Sequence, residues 1–237
     1  MYTLWKMVWR TPGKHGSALK DKRMSSTPIT LDLPACGMYA LFYCGVYKQL
    51  LLDGSMSIRR IYGRSSGAIA GALMCCDITD SSGILERVQH YNHSLRIVDS
   101  WAAALADMLP ADAHKRCSGR LFITTAWCGV LPCTVSTFTD NAHLLEMIVA
   151  SGRIPLVTTK TFGLHLDGLF VDRFTTVSTG PFPILSIRPP LSCWPLSQIL
   201  SARSGIHDMT RTTDIGANMT RDFCRSDRSP TKHFTLR

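Results

Sequence analysis

The sequence has no Cys-x-x-Cys pair, although it contains nine cysteines: Cys36, Cys44, Cys75, Cys76, Cys117, Cys128, Cys133, Cys193 and Cys224. An odd count without paired spacing argues against a zinc site or a disulfide framework. Most of these cysteines lie in apolar surroundings, where a free thiol behaves as a small hydrophobe, and the expected compartment is a reducing one. No metal and no organic cofactor is implied. Charge is also scarce, at 18% of residues against 45% hydrophobic, which excludes disorder across the whole chain. Long apolar runs are missing too. The first ten residues, interrupted by Lys6 and Arg10, lack the continuous apolar core expected of a secretory signal. The most hydrophobic segment, Leu31 to Leu52, is broken by Asp32, Pro34, Gly37, Gly45, Lys48 and Gln49. It therefore reads as a buried strand, turn and helix, with a membrane helix as the alternative. No internal repeat is present.

What charge there is sits at the ends. Residues 1–29 hold six Lys/Arg against Asp21, and residues 201–237 hold seven Lys/Arg against four acids. Residues 30–200 are nearly balanced, with thirteen basic and twelve acidic side chains. The chain divides accordingly into a flexible basic segment (1–29), a body of sufficient length for one domain with a core (30–200), and a polar, basic, disordered tail (201–237). Basic flanks on a neutral body suit contact with anionic lipid head groups, or are simply solvated ends. Nucleic acid is not an expected partner, because no basic stripe interleaved with aromatics, zinc finger or recognition-helix pattern occurs.

Along the body, residues 30–33 form a strand candidate, Ala35 to Ala40 a turn, and Leu41 to Leu52 a helix closed by Asp53-Gly54. Ile58 to Tyr62 is the next strand, and a small-residue helix follows from Ala68 to Cys76. Residues 82–109 read as helical, with Ile84, Val88, Tyr91 and Leu95 at helical spacing. Leu121–Thr125 and Thr134–Phe138 are β-rich, Asn141–Ala150 is helical, and Thr161–Leu166 runs into a turn at Gly168. Strands alternating with helices predict an α/β/α three-layer body with a mainly parallel sheet.

The chemistry concentrates at Gly63-Arg64-Ser65-Ser66-Gly67, between the strand Ile58–Tyr62 and the helix. A serine flanked by glycines at a strand-to-helix turn is how several hydrolase folds expose a nucleophilic hydroxyl. The following helix offers free N–H groups and a positive dipole end to the reacting centre. A serine hydroxyl needs a base, and its transition state needs an oxyanion hole. Asp167, in Leu166-Asp167-Gly168, ends a strand-like run and places a carboxylate at a sheet edge; an ordinary Asp-Gly turn is the plain alternative. Small residues at 35, 37 and 40 would let backbone N–H groups of the turn approach a ligand oxygen, or serve packing alone.

Together, and in this order, these motifs resemble the patatin-like phospholipases, which have a Gly-rich oxyanion loop, a G-x-S-x-G elbow and a distal D-G-[GA]. The animal branch that contains adiponutrin and adipose triglyceride lipase is also similar over Met108–His114, Gly119–Thr124, Ser151–Leu156 and Gly180–Phe182. The resemblance covers roughly residues 30–190. It implies a patatin-like fold and a lipid acyl hydrolase that works through a Ser-Asp dyad without histidine. Ser65 would be the nucleophile, Asp167 its base, and Gly37 and Met38 the oxyanion donors, with Gly63, Gly67 and Gly168 as motif glycines. The implied substrate is an acyl lipid, triacylglycerol or phospholipid, met in the cytoplasm or at a membrane or lipid-droplet surface. The chain departs from the family at Ala35 and Ala40, where the loop has glycine, at Arg64, which is usually small, and at Leu169, the third residue of the aspartate motif. Alanine would be penalised at 35 or 40 if either position took a positive φ.

Two other readings follow from the same residues. One is an α/β-hydrolase triad in which His207 or His233 follows Asp167. The other is a catalytically impaired protein that keeps the fold and acts as a lipid-surface binding or interaction protein. For the basic flanks, co-sedimentation with anionic liposomes should show binding that falls as salt rises. Binding to such liposomes that does not respond to salt would overturn an electrostatic contribution from the flanks.

Overall fold

The computed structural model describes residues 26–37, 39–92, 96–159, 163–171, 177, 181–189, 206–226 and 234–236. Strand β1 (Thr27–Leu33) is followed by helix α1 (Ala40–Asp53), strand β2 (Met56–Arg64) and helix α2 (Ser66–Cys75). Helices α3 (Ser81–Asn92), α4 (Ile97–Met108) and α5 (Ala113–Cys117) lead to the hairpin β3 (Leu121–Trp127) and β4 (Leu131–Val135). Helix α6 (Asn141–Ser151), the two-residue strand β5 (His165–Leu166), a 3-10 turn (Gly168–Val171) and β6 (Ile184–Ile187) follow. Helix α7 (Ile206–Ser226) and β7 (Phe234–Leu236) complete the described elements.

The protein is an α/β structure with a mixed, mostly parallel central sheet. Its order among the described residues is β4-β3-β2-β1-β6-β7, with β5 on β3. β1 pairs in parallel with β2 and β6, β2 with β3, and β6 with β7; only β4 and β5 run antiparallel to β3. Parallel strands are buried on both faces, and β1 shows this: Leu31 and Leu33 are buried on one face and Thr30 and Asp32 on the other. From β1 the chain steps to β2 on one side, while β6 returns on the other. Open α/β sheets bind ligands outside the carboxyl ends of strands where the order switches in this way. Register brings those ends level, with Leu33 beside Gly63.

α1 is buried nearly all round, through Leu41, Phe42, Tyr43, Val46, Tyr47 and Leu50. It stops at Gly54, whose φ of 67° forms a left-handed cap and returns its N–H to the Leu50 carbonyl at 3.1 Å. Asp140 caps α6, its carboxylate accepting from His143 N–H at 2.8 Å. The expected helix over 82–109 is two helices, α3 and α4; Leu95 lies outside the described residues. Strand β1 begins at Thr27, so the segment expected to be flexible up to residue 29 ends earlier, and residues 1–25 lie outside the described residues.

The larger correction concerns 201–237. The expected disordered tail contains α7 over 206–226 and β7 over 234–236. α7 lies directly against α1: a Cβ on Gly45 would meet the Thr213 carbonyl oxygen at 1.9 Å, and one on Gly216 would meet the Phe42 carbonyl oxygen at 2.2 Å. The buried positions of α7 are Thr212, Gly216, Thr220 and Cys224, four residues apart, with Ile215, Met219 and Phe223 packed beside them. The periodicity is helical, but its buried face is written in Thr and Gly, so a polar composition hides it. Thr220 can be buried because its hydroxyl donates to the Gly216 carbonyl of its own helix at 2.9 Å. No described helix is long and apolar enough to cross a membrane.

This packing has a measurable consequence. Glycine is a poor helix former, so Gly216→Ala on an exposed face would stabilise the helix by about 1 kcal/mol. Here the added carbon collides with backbone that cannot rotate away. Gly216→Val should therefore lower unfolding free energy by about 1–3 kcal/mol in urea titrations, with Asn218→Ala on the exposed face near neutral. An unchanged midpoint for Gly216→Val would show that α7 does not bear on the core.

Candidate active site

Ser65 closes β2 and opens α2 with φ 52° and ψ −123°. A non-glycine residue held there stores about 1–3 kcal/mol of strain and persists only where its surroundings over-determine it. The strain falls on the serine itself. The flanking glycines serve close approach: a Cβ on Gly63 would lie 2.6 Å from the Gly67 carbonyl oxygen, and one on Gly67 would lie 1.9 Å from the Leu33 carbonyl oxygen. The backbone is then fixed from a third side. Ser65 N–H donates to Ser151 Oγ at 2.8 Å, and Ser151 Oγ–H donates to the Thr124 carbonyl at 2.7 Å. The end of α6 and strand β3 thus hold the elbow in its strained form.

Asp167 arrives from the other direction. β5 pairs with the end of β3, Leu166 opposite Ala126 and His165 opposite Trp127. Asp167 N–H then donates to the Arg153 carbonyl at 2.9 Å, and Gly168 lies so close to β3 that a Cβ would meet the Thr124 carbonyl oxygen at 2.5 Å. The result brings two residues far apart in sequence into contact: Ser65 Oγ–H donates to Asp167 Oδ2 at 2.9 Å. Ser65 is 8% exposed and Asp167 3%. The hydroxyl reaches the carboxylate directly, with no imidazole between them. Of the histidines considered for a triad, His207 falls in the first turn of α7 with its side chain outside the described residues, and His233 lies outside them altogether. Leu169 takes its place in the 3-10 turn after Gly168.

The loop after β1 faces the elbow. Gly37 adopts φ 61°, and it is the single described residue of the loop in the left-handed region. Ala35 and Ala40 do not take a positive φ, and Ala40 is the first residue of α1, so the two alanines carry no conformational penalty. Met38 lies outside the described residues. Gly37 N–H has no partner among the described residues, and Ser66 N–H stands in the first turn of α2, where helical donors lack intrahelical acceptors. Cys36 N–H, by contrast, is committed: it donates to Ser66 Oγ at 2.8 Å, and its Sγ lies 3.1 Å from the same oxygen. Burial pushes the Cys36 thiol up to about 12, against the opposing effect of its contacts with Ser66 and Tyr43, so it stays protonated. Tyr43 Oη–H pins the start of the loop by donating to the Pro34 carbonyl at 2.7 Å.

Arg64 does not project its charge toward a ligand. Its guanidinium pairs with Asp32 Oδ1 at 2.6 Å, and Asp32 Oδ2 accepts from Ser186 Oγ–H on β6 at 2.8 Å. Both charged side chains are almost fully buried, at 3% and 8% exposure. The pair links the carboxyl ends of β1, β2 and β6 beneath the elbow. Sequence reading found Ser65, Asp167, Gly37 and the glycines, and missed Ser151, Ser66, Asp32 and Ser186. Ser66 stands at a variable position of the glycine-flanked serine motif and Ser151 opens the Ser151–Leu156 stretch of the resemblance, while no motif marks Asp32 or Ser186. Among the described residues, no group of three His, Cys, Asp or Glu side chains is placed to hold a metal ion. No family model matches the chain, and no curated protein matches it.

The buried pair is open to a double-mutant cycle. Asp32→Ala leaves the guanidinium without its carboxylate and should cost about 3–5 kcal/mol of unfolding free energy. Arg64→Met in the same chain should recover a substantial part of that loss. Additive losses in the cycle would mean that the two charges are independently solvated.

Proposed function

We propose that this protein is a lipid acyl hydrolase of the patatin-like phospholipase kind, with Ser65 as nucleophile and Asp167 as its base. The observation that carries the reading is the 2.9 Å hydrogen bond from Ser65 Oγ to Asp167 Oδ2, made by a serine in a strained strand-to-helix turn. Strain of this kind clusters at functional sites. A three-layer α/β/α arrangement, patatin-like in its order of loop, elbow and distal aspartate, accords with the strand order and with the site at the carboxyl ends of β1 and β2.

In the proposed reaction, Asp167 takes the Ser65 proton as Oγ attacks the ester carbonyl. The carbonyl oxygen gains negative charge as the tetrahedral centre forms, and the N–H groups of Gly37 and Ser66 are the donors proposed to meet it, with Met38 N–H as a further one. Asp167 returns the proton to the departing alcohol, which leaves an acyl ester on Ser65. Water, activated by the same carboxylate, then attacks that ester and releases the fatty acid. The Ser151 bridge and the Cys36–Ser66 contact keep Oγ and the oxyanion donors in fixed relation, so little reorganisation is needed during the reaction. Substrate would be an acyl lipid, triacylglycerol or phospholipid, and the setting cytoplasmic with peripheral contact at a membrane or lipid-droplet surface.

A fluorophosphonate probe should label the wild type and leave Ser65→Ala unlabelled. Asp167→Asn should lower ester turnover by about 100- to 10,000-fold while keeping the wild-type melting temperature within a few degrees. A folded wild type that takes no label would favour the non-catalytic lipid-surface reading. Full loss of activity in His207→Ala or His233→Ala would instead point to a triad.

A further inference from the structure

Eight large apolar side chains stand exposed among the described residues, and backbone pairing brings four of them to one end of the sheet. Trp127 pairs with Leu131 across the β3–β4 hairpin, and on its other side with His165 of β5. Val130 lies in the connecting turn, its N–H returned to the Trp127 carbonyl at 3.2 Å. Cys128 N–H donates to the Leu164 carbonyl at 2.6 Å, which holds Leu164 beside the turn. Trp127 is 42% exposed, Val130 69%, Leu131 52% and Leu164 66%. Such a concentration of apolar surface marks an interaction site more often than chance scatter does.

The chemistry of the occupant can be narrowed. From Trp127 to Val135 the hairpin carries no Asp, Glu, Lys, Arg or His, so it offers no charge to a protein partner or to a head group. Nor does it invite an added strand. β3 is already paired on both sides at this end, and the outer strand β4 carries Pro132, which has no N–H to donate. What remains is an uncharged hairpin with a tryptophan at its margin, bordered by His165 and by the Arg153 guanidinium that donates to the His165 carbonyl at 3.2 Å, and an apolar tip of this kind partitions into the boundary of a lipid layer. The patch is also wired to the site. Leu164 leads through His165 and Leu166 into Asp167, and β3 carries the Thr124 carbonyl that holds Ser151 beneath Ser65.

We propose that the β3–β4 turn and Leu164 insert into the uncharged acyl region of a lipid surface and present the Ser65–Asp167 site to esters packed within it. This rests on the acyl-hydrolase reading for what happens after docking, and on the hairpin alone for docking itself. The attachment is apolar, so it persists at salt concentrations that screen the basic flanks. Esters in a lipid aggregate should be turned over much faster than the same esters dispersed in water.

The test uses the full chain with phosphatidylcholine vesicles at high salt. Wild type should co-sediment with them and show a blue shift of tryptophan emission, and Trp127→Phe should remove most of that shift. The double variant Val130→Asp, Leu131→Asp should reduce vesicle partition by about tenfold or more. Its melting temperature, probe labelling and hydrolysis of a short soluble ester should match the wild type, because both positions are exposed and outside the site, while hydrolysis of a long-chain ester in vesicles should fall with binding. Equal sedimentation of wild type and double variant would overturn the proposal. So would a wild-type dimer in light scattering that the double variant converts to monomer, since the occupant would then be a second copy. Hairpin-dependent sedimentation without probe labelling would keep the docking surface and reject the hydrolase reading.

Discussion

The absence of a side chain at Gly67 is the constraint on which the site depends. α2 starts so close to β1 that any Cβ at this position would overlap the Leu33 carbonyl oxygen. That proximity draws the helix N-terminus over the carboxyl end of β1 and folds the chain between β2 and α2 into the strained turn at Ser65. Everything nearby works to hold the same geometry. Ser151 bonds the Ser65 amide, Ser66 bonds the loop after β1, and the buried Arg64–Asp32 pair ties the strand ends together. Burying two charges is expensive unless geometry and extra hydrogen bonds compensate, and Ser186 supplies one of those bonds.

The sequence shows most clearly what backbone punctuation and hydrophobic pattern control. Gly54 as a helix cap and the glycine-flanked serine at a strand-to-helix junction are local signals, and each stands where its local chemistry puts it, while the sequence offers Thr139, Asp140 and Asn141 at the start of α6 and the cap falls on Asp140. Asp167 was legible as a carboxylate on a turn. Its contact with Ser65 depends on β5 adding to β3, a long-range pairing with no local mark. The alanines at 35 and 40 looked like weaknesses, yet the chain needs a positive φ only at Gly37. Arg64 stands out in the sequence as a large residue where the resemblance has a small one, yet its charge is turned inward to Asp32, which no spacing rule connects to it.

Polarity misled most at the carboxyl-terminal end. Thr212, Gly216 and Thr220 score as surface residues by composition, but a helix that crosses another at backbone contact wants small side chains, and threonine can satisfy its hydroxyl within its own helix. Hydrophobicity counts apolar atoms, whereas close packing also depends on what is missing. The same principle accounts for Gly63, Gly67, Gly168 and Gly216, each of which marks a place where two backbones meet.

The strand order also sets the sequence of events during synthesis. β1 is the central strand, yet one of its neighbours is β6, so Thr30 must wait for Ile184 before its second edge is paired. α1 likewise gains its cover only when α7 has left the ribosome, and Gly45 faces Thr213 across most of the chain's length. Contacts this distant in sequence are slow to form, and the half-made sheet meanwhile exposes an unpaired edge and an apolar helix. A nascent chain of this protein therefore carries an open strand edge and an uncovered apolar helix face until α7 has been made.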